Sequence, residues 1–101
     1  MTENEIIIQK LIDLSPDISA RKMMGDHVVY YKGKVIGGVF DGRFAVKLTP
    51  TARSFAPNAK TIVPYPGAKE MLFIEKYDNE EFLTKLLSAI FFDIPEKKKK
   101  I

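Results

Sequence analysis

The chain has 101 residues, 46% of them hydrophobic and 29% charged, a balance that suits one globular domain and excludes a disordered or fibrous chain. It contains no cysteine, which excludes disulfides, thiolate metal sites and a cysteine nucleophile together, and a reducing compartment is expected. The net charge of +3 and the pI near 9.1 come from the end of the chain: the lysines of 97–100 and Glu96 removed from 16 basic and 13 acidic side chains leave 12 of each.

Residues 1–95 are therefore expected to form a single, formally neutral domain and residues 96–101 a basic, disordered tail. The polar, acidic start from Met1 to Glu5 is unlike a secretory signal, and no apolar run approaches the roughly 18 residues of a membrane span. A cytoplasmic protein without a membrane partner is the expectation.

Thr2-Glu3-Asn4-Glu5 reads as a capping box, in which the Thr2 hydroxyl accepts from the third helical amide while Glu5 reaches back. Ile7, Ile8, Leu11, Ile12 and Leu14 then recur at helical spacing, until Ser15-Pro16 stops the helix. Strands follow. Ser19 to Met24 is the first, closed by Gly25-Asp26, and His27 to Tyr31 is the second, ending at a Lys32-Gly33 turn. Val35 to Phe40 leads into Asp41-Gly42, a strong hairpin signal because both positions tolerate positive φ. In the fourth strand, Arg43 to Leu48, Phe44, Val46 and Leu48 alternate with Arg43, Ala45 and Lys47, which predicts one buried face and one wet face.

Thr49-Pro50 opens a short helix, and Thr61 to Val63 is a short edge strand. Met71 to Tyr77, apolar on both faces at first, is expected near the sheet centre. Asp78 caps the last helix with Glu81 three residues on. Phe82, Leu83, Leu86, Leu87, Ile90 and Phe91 form its apolar stripe, and Asp93-Ile94-Pro95 ends it. The order defines an α+β fold, an antiparallel sheet flanked by N- and C-terminal helices.

Arg21-Lys22-Met23-Met24-Gly25 is the densest chemical signal. Adjacent cations beside a glycine suit an anion or an acidic partner, whereas on a regular strand the two side chains take opposite faces and Gly25 serves the turn. His27 is the sole histidine and reads as a packing or surface residue, with too few companions for a zinc site. No metal or cofactor site is expected. Glu80-Glu81 opens a helix, where its dipole favours negative charge, and Gly37-Gly38 marks a bulge or the close approach of a helix. Tyr30, Tyr31, Phe40 and Phe44 suit either base stacking or a core, and their surroundings favour the core.

Taken in order, Ala20-Arg21-Lys22-Met23-Met24-Gly25, the strand Val28 to Tyr31, Lys32-Gly33-Lys34-Val35, and Gly42-Arg43-Phe44-Ala45-Val46-Lys47-Leu48 resemble the N-terminal domain of the TfoX competence regulators. The Met71 strand and the closing helix fall where that domain has them. The resemblance implies a secretion-chaperone-like arrangement, α-β(3)-α-β(2)-α, and a non-catalytic role in regulating DNA-uptake genes, with the cyclic-AMP receptor protein in some bacteria.

The expected partner is then another protein, or a second copy of the chain, engaged through a sheet edge or a helix face. Arg21, Lys22, Gly25 and Lys47 are the leading determinants, with Arg53 and Tyr65 from the irregular segment beside them. Two alternatives stand next to this reading. One is weak, non-specific nucleic-acid binding through Lys97, Lys98, Lys99 and Lys100, with a salt slope of roughly −3 to −4. The other is a small-ligand or enzymatic site in which Arg21, Lys22, Asp26 and His27 converge.

Overall fold

The Thr2 hydroxyl accepts from the Glu5 amide at 3.2 Å and the Glu5 carboxylate accepts from the Thr2 amide at 2.9 Å, so the capping box starts the first helix as expected. The computed structural model describes residues 2–94, and the expected tail at 96–101 lies outside them. The order is α1 (Glu3–Leu14), β1 (Ile18–Met23), β2 (Asp26–Tyr31), β3 (Lys34–Phe40), β4 (Arg43–Lys47), α2 (Pro50–Phe55), β5 (Thr61–Ile62), β6 (Met71–Phe73) and α3 (Glu80–Asp93). Four strands precede α2, so the α-β(3)-α-β(2)-α order becomes α-β(4)-α-β(2)-α.

All six strands form one sheet in the order β1-β2-β3-β4-β6-β5, and every neighbouring pair is antiparallel. Three hairpins join β1 to β4. Their turns place Met24-Gly25, Lys32-Gly33 and Asp41-Gly42 at positive φ, the geometry that matches the right-handed twist of the strands. The first turn is therefore Met24-Gly25 rather than Gly25-Asp26, and Asp26 already belongs to β2.

The helices cover one face only. Ile7, Ile8 and Leu11 of α1 and Leu83, Leu86, Leu87 and Ile90 of α3 join Ile18, Val29, Tyr31, Ile36, Val39, Phe44, Val46, Leu72 and Ile74 in one core. Each fully buried leucine contributes roughly 2 kcal/mol through removal from water. Ile12, which shares the helical spacing, stays exposed.

Polar ties fix the helices on this face. Lys34 of β3 donates to the carbonyls of Phe91 and Ile94, 3.3 and 3.0 Å away, and its ammonium lies 4.2 Å from the Phe91 ring centroid. It thereby neutralises the C-terminal end of a helix whose last turn has no cation of its own. The Tyr31 hydroxyl meets that of Ser88 at 3.2 Å. At the other end, Asn4 accepts from the Gly42 amide at 2.7 Å and donates to the Gly25 carbonyl at 3.3 Å, so one side chain of α1 clamps two hairpin turns.

Two expected elements differ. The Met71 strand has three residues and lies second from the edge, because β5 pairs outside it; only the Ile74 amide, bonded to the Phe44 carbonyl, extends it. The cap of α3 is Asn79, whose side chain accepts from the Phe82 amide at 3.0 Å, and Asp78 precedes it.

Asn4→Ala should lower unfolding stability by about 1–2 kcal/mol, read from the urea midpoint, since the part-buried Gly42 amide and Gly25 carbonyl both lose their partner. Asn4→Asp, which still accepts from Gly42, should lose less.

Glu5 is also testable by pH. Its hydrogen bonds from the Thr2 amide and hydroxyl hold the carboxyl below its ordinary value of 4.5. The unfolded chain therefore takes up the proton first, and the stability Glu5 contributes is complete above that value. It disappears as pH falls through the lower, folded value. Glu5→Gln should flatten the acid limb of α1 unfolding, followed by amide NMR below about pH 4.5.

Candidate functional site

Strand pairing places directly opposed residues on the same face, so the register identifies what points away from the helices. Arg21 opposes Val28, Met23 opposes Asp26, Tyr30 opposes Val35, Phe40 opposes Arg43, and Lys47 and Ala45 oppose Met71 and Phe73. An antiparallel sheet with one solvated face alternates apolar with polar residues. Here the second face is also apolar. Ala45, expected to be wet, is fully buried although it lies outside the helix-side core, and Arg43 and Lys47 are half-buried.

The cause lies in β3. The register shifts between Val29 and Tyr30, whose partners are Gly37 and Val35, and Ile36 is the extra residue. Any side chain at Gly37 would run into the Ala45 carbonyl and the Val46 Cα, and one at Gly38 into the Phe40 ring and the His27 carbonyl. The glycine pair thus serves the bulge and a close approach of β4, not of a helix. With no side chain at Gly38, the Phe40 ring folds across the sheet and meets Tyr65 at 6.1 Å between centroids, inclined by 56°.

An open groove of about 470 Å³ results, lined by Met23, Met24, Val28, Val35, Phe40, Tyr65 and Met71, with Asp26 and Lys47 as its charged walls. Met24 is fully exposed, and Met23 and Tyr65 are each 55% exposed.

The sequence candidates divide across this geometry. Lys47 and Tyr65 line the groove, and Arg21 lies on the same face of the sheet but outside the groove. Lys22 points to the opposite face, where its charge helps to lower the Glu5 carboxyl, so the Arg21-Lys22 pair does not act as one site. Gly25 serves the hairpin turn, and its carbonyl accepts from Asn4. Arg53 donates from Nη1 to the Ala59 carbonyl at 2.6 Å and so pins the loop after α2.

His27 opposes Lys22 and Val39 on the helix side, is buried, and its Nδ1 has no hydrogen-bond partner; Asp26 faces the other way. Of these four residues, Asp26 and His27 both line the groove, whereas Arg21 and Lys22 do not and lie on opposite faces of β1. Tyr31 and Phe44 are core residues as expected, whereas Tyr30 and Phe40 lie half-buried on the uncovered face. The lysines of 97–100 lie outside the described residues.

Sequence spacing missed Val28, Val35, Phe40 and Met71 as surface determinants. The available signal was in β2, where Val28 and Tyr30 are apolar beside an already apolar set of Val29 and Tyr31. Among the described residues the ion pair is Lys85–Glu81, so Arg21, Arg43 and Lys47 hold no carboxylate. Among these residues, too, no three His, Cys, Asp or Glu side chains are placed to hold a metal ion, and no helix is long and apolar enough to cross a membrane.

No protein-family model matches the chain, and no solved structure matches it. A protein of Spirochaeta aurantia, described as an uncharacterized 12.7 kDa protein in the trpE 5' region, is 39% identical over 49 residues. That stretch covers 48% of this chain and 43% of the Spirochaeta protein, so the chain matches less than half of its relative's length.

Arg53→Ala should speed amide exchange in residues 56–60 while changing global stability by less than about 1 kcal/mol, since the lost bond is exposed.

Proposed function

We propose that this chain is a non-catalytic protein-interaction module of the TfoX N-terminal kind, acting in transcriptional regulation through the uncovered face of its sheet. One observation carries the reading. A sheet face that solvent alone would make polar is instead apolar, and its strands carry Arg21, Arg43 and Lys47 without carboxylate partners among the described residues.

The segments that resemble the TfoX domain support it further. Ala20 to Gly25 supplies β1 and the Met24 turn, and Gly42 to Leu48 supplies β4, so both contribute to this face. Helices on one side of an antiparallel sheet are also in keeping with the secretion-chaperone-like arrangement of that family.

Capture from nuclease-treated native lysate tests the reading. The wild-type chain should retain a stoichiometric protein that an Arg21→Glu, Lys47→Glu variant loses. Lys22→Ala, on the opposite face, should keep it. Retention by the double variant, or material that nuclease removes, would sink the proposal.

A further inference from the structure

We infer that the uncovered face seats an acidic amphipathic α-helix of a partner protein. The inference rests on the interaction-module reading and adds the partner's chemistry to it.

The sheet lacks a layer. Helices bury one face, while Val28, Val35, Phe40 and Met71 stand on the other at positions a solvated sheet gives to polar residues. The edges are poor sites for an added strand. β1 carries Arg21 and Lys22 on consecutive positions, and β5 has only two residues. A partner is thus directed onto the face.

The dimensions suit a helix. From β1 to β6 the sheet spans four strand separations, about 19 Å. A helix of roughly 13 residues has that length. Along it, apolar side chains would fill the groove, whose walls carry Lys47 and Asp26, while carboxylates on its flanks meet Arg21 and Arg43 beyond the groove; across the strands this face carries three cations against the one carboxylate of Asp26.

Met24 supplies an independent observation. It occupies the left-handed region with φ of 49°, which L side chains other than Asn and Asp avoid, and its thioether lies wholly in water. Lys32 and Asp41 take the same conformation in the second and third hairpins, and both keep polar side chains in water there; Met24 is the one that leaves an apolar side chain exposed. An exposed, flexible thioether at the rim of an apolar groove suits contact with a partner's apolar residues, because methionine adapts to irregular surfaces.

A single-stranded nucleic acid fits less well. It needs open aromatic faces for stacking, whereas the groove exposes thioethers and valine, and Tyr65 leans on Phe40.

The test is selection of phage-displayed random peptides of roughly 16 residues on the folded chain, followed by amide NMR with the synthetic winners. Selected sequences should carry apolar residues at i, i+3, i+4 and i+7 with net negative charge, and should shift Val28, Val35, Phe40 and Met71. Arg21→Glu with Lys47→Glu should weaken binding by about tenfold or more. Met24→Asn should weaken it severalfold while raising Tm by roughly 2–4 °C, opposite signs that a purely structural role does not produce.

Neutral, basic or strand-patterned peptides on the same face would overturn the acidic helix and leave the interaction module standing. Dimerisation in sedimentation velocity that Val28→Asp abolishes would make the occupant a second copy, and a footprint of single-stranded DNA there would make it nucleic acid. Either result overturns the inference. If no peptide is selected and no shift appears, the inference and the module reading fail together.

Discussion

The Gly37-Gly38 pair in the middle of β3 is the constraint on which both faces of the sheet depend. Bulged residue Ile36 precedes it, and the backbone of β4 approaches so closely that a single methyl at Gly37 would strike Ala45 and Val46. On the helix side, Ile36, Val39, Phe44 and Val46 then form a continuous floor for α1 and α3. On the other side, the missing side chain at Gly38 lets Phe40 lie over the strand. One local departure from a regular ladder thus shapes the core and the groove together.

Polar groups on the helix side are arranged for attachment rather than chemistry. Asn4 binds two turns, Lys34 closes the end of α3, and Tyr31 reaches Ser88. Asp93 accepts from the Thr51 hydroxyl at 3.1 Å; hydrogen bonds from Thr49 and Thr51 keep its carboxyl below the usual range and tie α2 to α3. Among the described residues, the cations of the uncovered face have no such partners. That asymmetry between satisfied and unsatisfied charge is what separates the scaffold from the candidate interface.

Much of the fold was legible because the signals are local. Thr2 and Glu5 announce a cap within four residues, Lys32-Gly33 and Asp41-Gly42 announce turns, and Thr49-Pro50 opens α2. Other features depend on partners distant in the chain. The alternation in β4 shows two faces but not that Ala45 is buried on the second, since its cover comes from elements the strand does not contain. Met71 to Tyr77 has strand composition throughout, yet only three residues find a continuous ladder. Of the candidate site, the placement of Arg21 and Tyr65 at the surface was legible in the sequence, whereas Lys47 is half-buried and the separation of Arg21 from Lys22 became definite once β1 had a partner strand.

The sequence by itself determined the elements, their approximate bounds and the α+β class, because periodicity and capping follow from backbone geometry over a few residues. Tertiary structure alone decided that every helix covers the same face, that β6 lies between β4 and β5, and that Met24 takes the left-handed turn. Those outcomes follow from pairing and burial between segments tens of residues apart, and a linear pattern does not encode which side of a two-sided apolar sheet its helices will cover.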